Sequence, residues 1–211
     1  MNLETNRTNY QRDELNESSI GDDPIVVLRA WLDIAAAQAV PEPNAMCLST
    51  VGADGQPSSR IVLLRGLDDR GLRFFTSYGS RKGRDIAHNK HVAVTFYWNA
   101  LERQVRVEGV ASLLTEAESD AYFASRPRGH QLGAWASEQS ESIEERAMLQ
   151  ERKQHFNERF EGEEVPRPHS WGGYCIEPDR IEFWQGRPDR LHDRLVFSRD
   201  ADAWHRERLQ P

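Results

Sequence analysis

The run Ala45-Met-Cys-Leu-Ser-Thr-Val51, Gly52-Ala-Asp-Gly55, Arg60-Ile-Val-Leu-Leu-Arg65, Asp68-Asp-Arg-Gly71, Leu72-Arg-Phe-Phe-Thr-Ser77 alternates apolar stretches with Gly/Asp turns, and it decides the fold. Such stretches predict strands over Ala45 to Val51, Ser58 to Leu67 and Leu72 to Ser77, joined as hairpins. Hairpins make the sheet mainly antiparallel. His91 to Trp98 and Arg103 to Leu113 extend the pattern. In the latter, Val105 and Val107 alternate with Gln104, Arg106 and Glu108, a polar face for solvent, a ligand or a partner. Val165-Pro-Arg-Pro168 breaks the chain before last strands near Gly173 to Trp184, Arg190 to Ser198 and Trp204 to Leu209.

Helices fit between these strands. Asp23-Pro24 offers an N-cap with proline at the first helical position, and Leu28, Trp31, Leu32 and Ala35 follow at core-facing helical spacing. Ser80 caps a short helix to Asn89. Thr115-Glu-Ala-Glu118 and Ser142-Ile-Glu-Glu145 read as capping boxes, the first for a helix through Ser125 and the second for a long helix to about Phe160. Residues 1–23 are polar and aperiodic, so they are expected to form a mobile N-terminal arm, with residues 24–211 as one domain. The fold class is α+β: a closed or split β-barrel, mainly antiparallel, with peripheral helices.

The chain has 211 residues and a net charge of −7, with no Lys/Arg-rich run, which argues against a nucleic-acid or anionic-membrane surface. Its cations are nearly all guanidiniums, because only Lys82, Lys90 and Lys153 are lysines among 27 Lys+Arg. Guanidiniums suit bidentate oxyanion recognition, although genomic base composition produces the same bias. Cys47 and Cys175 stand alone, so neither a metal site nor a disulfide framework is indicated. No apolar stretch approaches the roughly 20 residues that span a bilayer, and the polar start is unlike a signal peptide. A soluble cytoplasmic protein is the expectation.

Three segments carry candidate chemistry. In Ser77-Tyr-Gly-Ser-Arg-Lys-Gly83, cations open a helix whose free N–H groups are already electropositive, an arrangement that an anion such as phosphate neutralises. A solvated basic turn is the competing reading. Tyr122-Phe-Ala-Ser-Arg-Pro-Arg-Gly-His130 ends a helix in a Pro/Gly loop bearing a phenol, guanidiniums and an imidazole, although cations there also suit the helix dipole. In Arg190-Leu-His-Asp-Arg194, strand alternation puts Arg190, His192 and Arg194 on one face; either they meet an anionic ligand or they pair with nearby carboxylates.

Arg60-Ile-Val-Leu-Leu-Arg65, Gly79-Ser-Arg-Lys82, Leu101-Glu-Arg-Gln-Val105, Ser125-Arg-Pro-Arg128, Gly133-Ala-Trp135, Ser137-Glu-Gln-Ser140, Ser170-Trp-Gly-Gly173, Ile181-Glu-Phe-Trp-Gln-Gly186 and Arg190-Leu-His-Asp-Arg194, in this order, resemble the pyridoxamine (pyridoxine) 5′-phosphate oxidase family from about Arg7 to Pro211. The resemblance implies an FMN-binding split barrel and an obligate homodimer with FMN sites at the subunit interface. It also implies oxidation of phosphorylated B6 vitamers to pyridoxal 5′-phosphate, with O2 reduced to H2O2. By matching position it assigns Arg60, Ile61, Val62, Leu63, Leu64, Arg65, Phe75, Thr76, Arg81, Lys82, Gln104, Gln139, Ser140, Trp184 and Arg194 to FMN. Arg65, Tyr122, Arg126 and His130 fall to the substrate phosphate, Arg190 and His192 to the pyridine ring and reacting carbon, and Arg7 and Tyr10 to the covering arm. Arg65 stands where the family usually has lysine and His130 where it usually has serine; both keep hydrogen-bond donors. An oxidase for another electron-rich ring, such as a phenazine precursor, and a non-catalytic FMN or pyridoxal-phosphate carrier are the alternatives.

Overall fold

The computed structural model describes residues 8–201 and 203–211. Nine strands, every pair antiparallel, form one curled sheet. They are β1 (Ala45–Val51), β2 (Pro57–Leu63), β3 (Gly66–Asp68), β4 (Gly71–Ser77), β5 (His91–Trp98), β6 (Arg103–Leu113), β7 (Trp171–Gln185), β8 (Asp193–Asp200) and β9 (Ala203–Arg208). The order runs β2-β1-β5-β6-β7-β4-β3, with β8 also on β7 and β9 on β8. One register row, Val62, Met46, Phe96, Val105, Phe183 and Leu195, faces inward and is buried. Alternation puts the neighbouring residues on the outer face, where Ile61 is 65% and Tyr97 56% exposed.

Helix α1 (Pro24–Ala37) plugs the barrel with Leu28, Trp31 and Ala35. Its start is as the sequence predicts, with the Asp23 carboxylate accepting the Ile25 N–H at 2.8 Å. Ser80 caps α2 (Arg81–His88), and Thr115 and Glu118 close a reciprocal box on α3 (Glu116–Ala124). Gly83 is obligatory in α2, because a Cβ there would sit 2.1 Å from the Tyr78 carbonyl oxygen.

Several expectations are corrected. The strand expected over Ser58 to Leu67 turns a corner: the Leu64 N–H bonds the Asn44 carbonyl, but the Arg65 N–H bonds Arg73, so the chain changes neighbours there. Ile61 points outward, so only one face of this strand is packed in the core. The Pro/Gly loop after Arg126 is helix α4 (Arg128–Ala136), where buried Leu132 and the Gln131 amide, donating to the Phe123 carbonyl at 3.0 Å, outweigh Gly129 and Gly133. Helix α5 (Ala147–Arg159) begins after the Ser142 box and has no side-chain cap. That segment is exposed, and Glu141 instead pairs with Arg84 at 2.7 Å.

The tail also departs. Strand β8 starts at Asp193, because Pro188 opens a tight turn over Pro188–Arg190 in which Asp189 and Arg190 have φ of 55° and 63°. Arg190, His192 and Arg194 therefore do not share one strand face. Residues 9–16 lack helix and strand, as an arm should, yet Leu15 and Ile20 are buried. The boundary at residue 23 marks a change in secondary structure, not in packing.

Phe183 is fully buried against Trp31 and Phe197, with ring centroids 5.1 and 5.8 Å away. Phe183→Ala should cost about 3–5 kcal/mol, read from a urea midpoint with unchanged slope, whereas Leu113→Ala on the 62% exposed Leu113 should cost less than about 0.5 kcal/mol.

Candidate active site

A cleft of about 940 Å³ opens between the β2 edge, the end of β4, the start of α2 and the α3–α4 turn. It gathers Arg60, Ile61, Val62, Leu63 and Arg65 from one wall and Phe75, Thr76, Arg81 and Lys82 from another. Gln139 and Ser140 close the Lys82 end, and Tyr122, Arg126 and His130 close the other. Leu64 is absent: its side chain is buried in the core, and its carbonyl accepts the Asn44 amide at 3.1 Å.

Lys82 is 6% exposed, and its ammonium has only neutral partners: Thr76 Oγ1 and Ser80 Oγ at 3.2 Å and Gln139 Oε1 at 3.1 Å. Burial, reinforced by the Arg60 charge, pushes its pKa down to about 8. Arg60 is held differently, donating to Thr50 Oγ1 at 2.7 Å and lying 3.8 Å from the Asp85 carboxylate. Burial raises Asp85, but hydrogen bonds from Thr50 and Ser58 and the charges of Arg81 and Arg60 outweigh it and hold the carboxyl below its usual range. Asp85 is thus the counterion that aligns the β2 wall.

Across the cleft, Phe75 stacks on Tyr122 at 3.7 Å, and Trp171 lies parallel to both. The Arg126 guanidinium rests 4.4 Å from the Trp171 ring centroid, and its Nη1 is buried with no hydrogen-bond partner among the described residues. Burial lowers its pKa; Tyr122 opposes this and Arg65 adds to it. An orphaned guanidinium N–H beside a like charge is a group that an oxyanion would complete.

The remaining predicted residues lie elsewhere. Tyr10, Trp184 and His192 form an aromatic cluster, with Tyr10 5.6 Å from Trp184 and Trp184 4.7 Å from His192. Gln104 and Arg194 flank Trp184 in register, and Arg190 ends the adjoining turn. Gly186 admits the Tyr10 ring, since a Cβ there would be 2.6 Å from it. The imidazole Nδ1 accepts the Arg187 backbone N–H at 3.1 Å. Burial, then Arg190, lowers the His192 pKa, and Asp193 opposes the shift. Arg7 lies outside the described residues.

This cluster is far from the cleft along the chain. Thr76 pairs with Gly172, and Trp184 is twelve residues further along β7, roughly 40 Å of strand contour.

Four residues escaped the sequence reading. Asp85 looked like an ordinary acid of a short helix. Glu182 is 2% exposed and accepts both Nε and Nη2 of Arg194, at 2.8 and 3.0 Å, as well as Arg106. Arg187 ties the His192 turn to the Asp13 carbonyl, at 3.2 Å, and to Glu14. Trp171 lay within a quoted motif without a role. Only an unusual acid inside a strand, as at Glu182, was a usable signal.

Residues 32–160 match the pyridoxamine 5′-phosphate oxidase family and residues 171–211 the pyridoxine 5′-phosphate oxidase C-terminal dimerisation region. The chain belongs to this family. It is 55% identical to the pyridoxine/pyridoxamine 5′-phosphate oxidase of Burkholderia multivorans, covering 97% of each chain. The enzyme of the same name from Rubrobacter xylanophilus is also 55% identical, covering 97% of this chain and 94% of that one. Among solved structures, PhzG from Burkholderia lata, in complex with tetrahydrophenazine-1-carboxylic acid, superposes with a TM-score of 0.88 at 34% identity, over 94% of this chain and 98% of that one. A pyridoxamine 5′-phosphate oxidase-related FMN-binding protein from Nostoc punctiforme shares the fold, with a TM-score of 0.72 at 18% identity over 91% of this chain and 100% of that one. The protein is an oxidoreductase on a split barrel that carries a dimerisation region. Among the described residues, no helix is long and apolar enough to cross a membrane.

Lys82 generates a pH prediction for this oxidase. An anion favours the protonated ammonium, so bound ligand raises its pKa above the free value of about 8. Affinity for a phosphomonoester should be nearly flat from about pH 7 to about pH 8, then weaken by up to tenfold per pH unit until the pKa of the complex is passed. Calorimetric titration from about pH 7 to about pH 10 reads this, and Lys82→Met should bind weakly with a flat profile. A native profile that is equally flat would remove Lys82 from the anion site.

Proposed function

We propose that the protein oxidises pyridoxamine 5′-phosphate or pyridoxine 5′-phosphate to pyridoxal 5′-phosphate with FMN as cofactor, O2 as electron acceptor and H2O2 as product, serving pyridoxal-phosphate synthesis and salvage. The observation that carries this reading is two half-buried or buried cations in one cleft, Lys82 and Arg126, each pressed by a like charge and each without a carboxylate neighbour among the described residues. Two phosphorylated ligands answer that arrangement. Lys82 and Arg81 at the start of α2 suit the cofactor phosphate, Thr76, Gln139 and Ser140 offer polar contacts beside it, and Arg60, Ile61, Val62, Leu63 and Arg65 on the facing wall would hold the rest of the cofactor. Arg65, Arg126, Tyr122 and His130 suit the substrate phosphate.

Bound FMN supplies the two-electron acceptor. The chain's own groups bind and orient. Each turnover removes two hydrogens from the C4′ alcohol or amine and passes them to O2, which leaves as H2O2; the amine additionally consumes one water and releases ammonia. Gln104, Trp184, Arg190, His192 and Arg194 come from the second copy of a homodimer, because none of them lines the cleft of their own chain, from which about 40 Å of strand contour parts Trp184. Exposed Ile61 and Tyr97 on the outer sheet face, together with the dimerisation match, support that pairing.

A second reading rests on PhzG, whose ligand, tetrahydrophenazine-1-carboxylic acid, carries a carboxylate and no phosphate. A carboxylate meets Arg126 with one charge and two oxygens, whereas a phosphate brings two charges and three oxygens to Arg126, Arg65, Tyr122 and His130 together, so the phosphate reading answers more of that end of the cleft.

The purified protein should be yellow, with about one FMN per subunit, and should release peroxide with pyridoxine phosphate. Arg126→Ala should raise KM for the phosphorylated substrate tenfold or more at unchanged flavin content. Mixing and re-equilibrating inactive Arg126→Glu with inactive His192→Ala should restore roughly a quarter of native activity, since half the dimers are hybrids with one intact site. Peroxide release only with dihydrophenazine carboxylates would favour the second reading, and no recovery on mixing would place both residues in one chain's site.

A further inference from the structure

The Arg187 backbone N–H donates to His192 Nδ1 at 3.1 Å, and that contact has a chemical consequence for the imidazole. A neutral histidine whose Nδ1 accepts must carry its proton on Nε2. Nε2 is then a donor with no free lone pair.

The surroundings enforce this form. Arg187 is clamped by its own side chain, with Nη1 on the Asp13 carbonyl and on Glu14, both at 3.2 Å, and Nε 3.5 Å from Asp193. Asp193, next in sequence to His192, accepts the Leu15 N–H at 3.0 Å and Arg208 Nη1 at 2.8 Å, so its carboxylate is committed to the arm and to β9. Tyr10 from the arm and Trp184 from β7 pack on the ring. Leu191, Leu209, Gln210 and Pro211 line the hollow beside it, and Arg190 is the other charge acting on it. Among the described residues none of these groups is a carboxylate positioned to take an Nδ1 proton, and the lowered pKa agrees with a ring kept neutral.

We propose that Arg187 is a positioning residue that fixes His192 as the Nε2–H tautomer, so that His192 donates a hydrogen bond to an electron-rich oxygen or nitrogen on the substrate ring and does not accept the proton released in the oxidation. This rests on the proposed reaction for the identity of the substrate, but the tautomer is a property of the protein alone. The released proton then goes to water or to another group, and the imidazole's role is to orient the substrate ring through the hydrogen bond it donates.

Two measurements test it. Nitrogen-15 spectra of the histidine-labelled protein near neutral pH should show His192 Nδ1 as a bare acceptor and Nε2 as the protonated nitrogen. Arg187→Ala, which frees the clamp, should yield a mixture of tautomers. In kinetics, His192→Gln places an amide N–H near the Nε2 position and should keep kcat within about tenfold of native, whereas His192→Asn, which reaches only the Nδ1 position, should lose about a hundredfold. The acid limb of kcat/KM should not steepen in the glutamine variant. A protonated Nδ1 in the spectra overturns the tautomer assignment. A glutamine variant as inactive as the asparagine one, with native flavin content in both, overturns the donor role in favour of proton acceptance. If native protein turns over no phosphorylated B6 vitamer, the reaction proposed above fails, while the spectra still decide the tautomer.

Discussion

Strand β7 is the constraint on which the rest of the structure depends. It pairs with β6 along almost its whole length, with β4 through its first half and with β8 through its second. To serve two neighbours in succession on one edge, it must turn, and the turn is made at the irregularity between Glu108 and Gly109 opposite Pro178. Gly109 is required there because a Cβ would stand 2.1 Å from the Glu177 carbonyl oxygen. Proline is tolerated at 178 where the ladder is already interrupted. Before the bend, β7 closes the barrel and delivers Trp171 to the cleft; after it, β7 carries Glu182 and Trp184 to the other cluster. One bent strand thus carries Trp171 to the cleft and Trp184 to the other cluster, and under the proposed function the two are brought together by a second copy.

The charges follow the same division. Around Glu182 the cations have a counterion, although Arg106 Nε is left without a partner among the described residues: the buried carboxylate receives Arg194 through two donors and Arg106 through a third, and burial, which raises its pKa, is outweighed by those bonds. In the cleft it is otherwise. Among the described residues, Lys82 and Arg126 are partly or wholly removed from water without an acid to answer them, although the chain as a whole carries −7. A protein with 34 acids could have supplied a partner at either place. Leaving both cations unanswered costs stability in the free protein, and binding of an anion recovers that cost.

What was legible in the sequence was what local chemistry determines. Turn residues gave the hairpins, Asp23-Pro24 and Thr115/Glu118 gave two helix starts, and apolar alternation gave the inward row of the sheet. What escaped was set by tertiary partners. Leu64 and Arg65 belong to one apolar run, yet bond to different strands. Helix α4 forms despite Pro127, Gly129 and Gly133 because Gln131 and Leu132 find buried partners. The one-face alternation of Arg190, His192 and Arg194 failed because Pro188 and two positive φ angles delay the strand. Likewise, the cation-bearing segments were visible as segments, but Asp85, which holds Arg60 in place, carried no local mark, and Glu182, which holds Arg194, was marked only as an acid inside a strand.

Lys82 shows why residue type matters at one atom. In a chain with only three lysines, the buried cation of the cleft is one of them. An ammonium has three donors, and three neutral oxygens of Thr76, Ser80 and Gln139 meet it at 3.1 to 3.2 Å. A guanidinium would bring five donors in a fixed plane to the same three acceptors and leave some orphaned in a buried place. It would also keep its proton at every accessible pH, whereas the ammonium, already weakened to about 8, yields it readily. The ammonium is therefore the cation this wall can bury without a counterion: its donors are met in the free state, and its full charge remains for an anion arriving from the cleft. Arg126, with an orphaned Nη1 over Trp171, takes the opposite solution, and the difference separates a site already complete in hydrogen bonds from one that waits for its ligand to complete them.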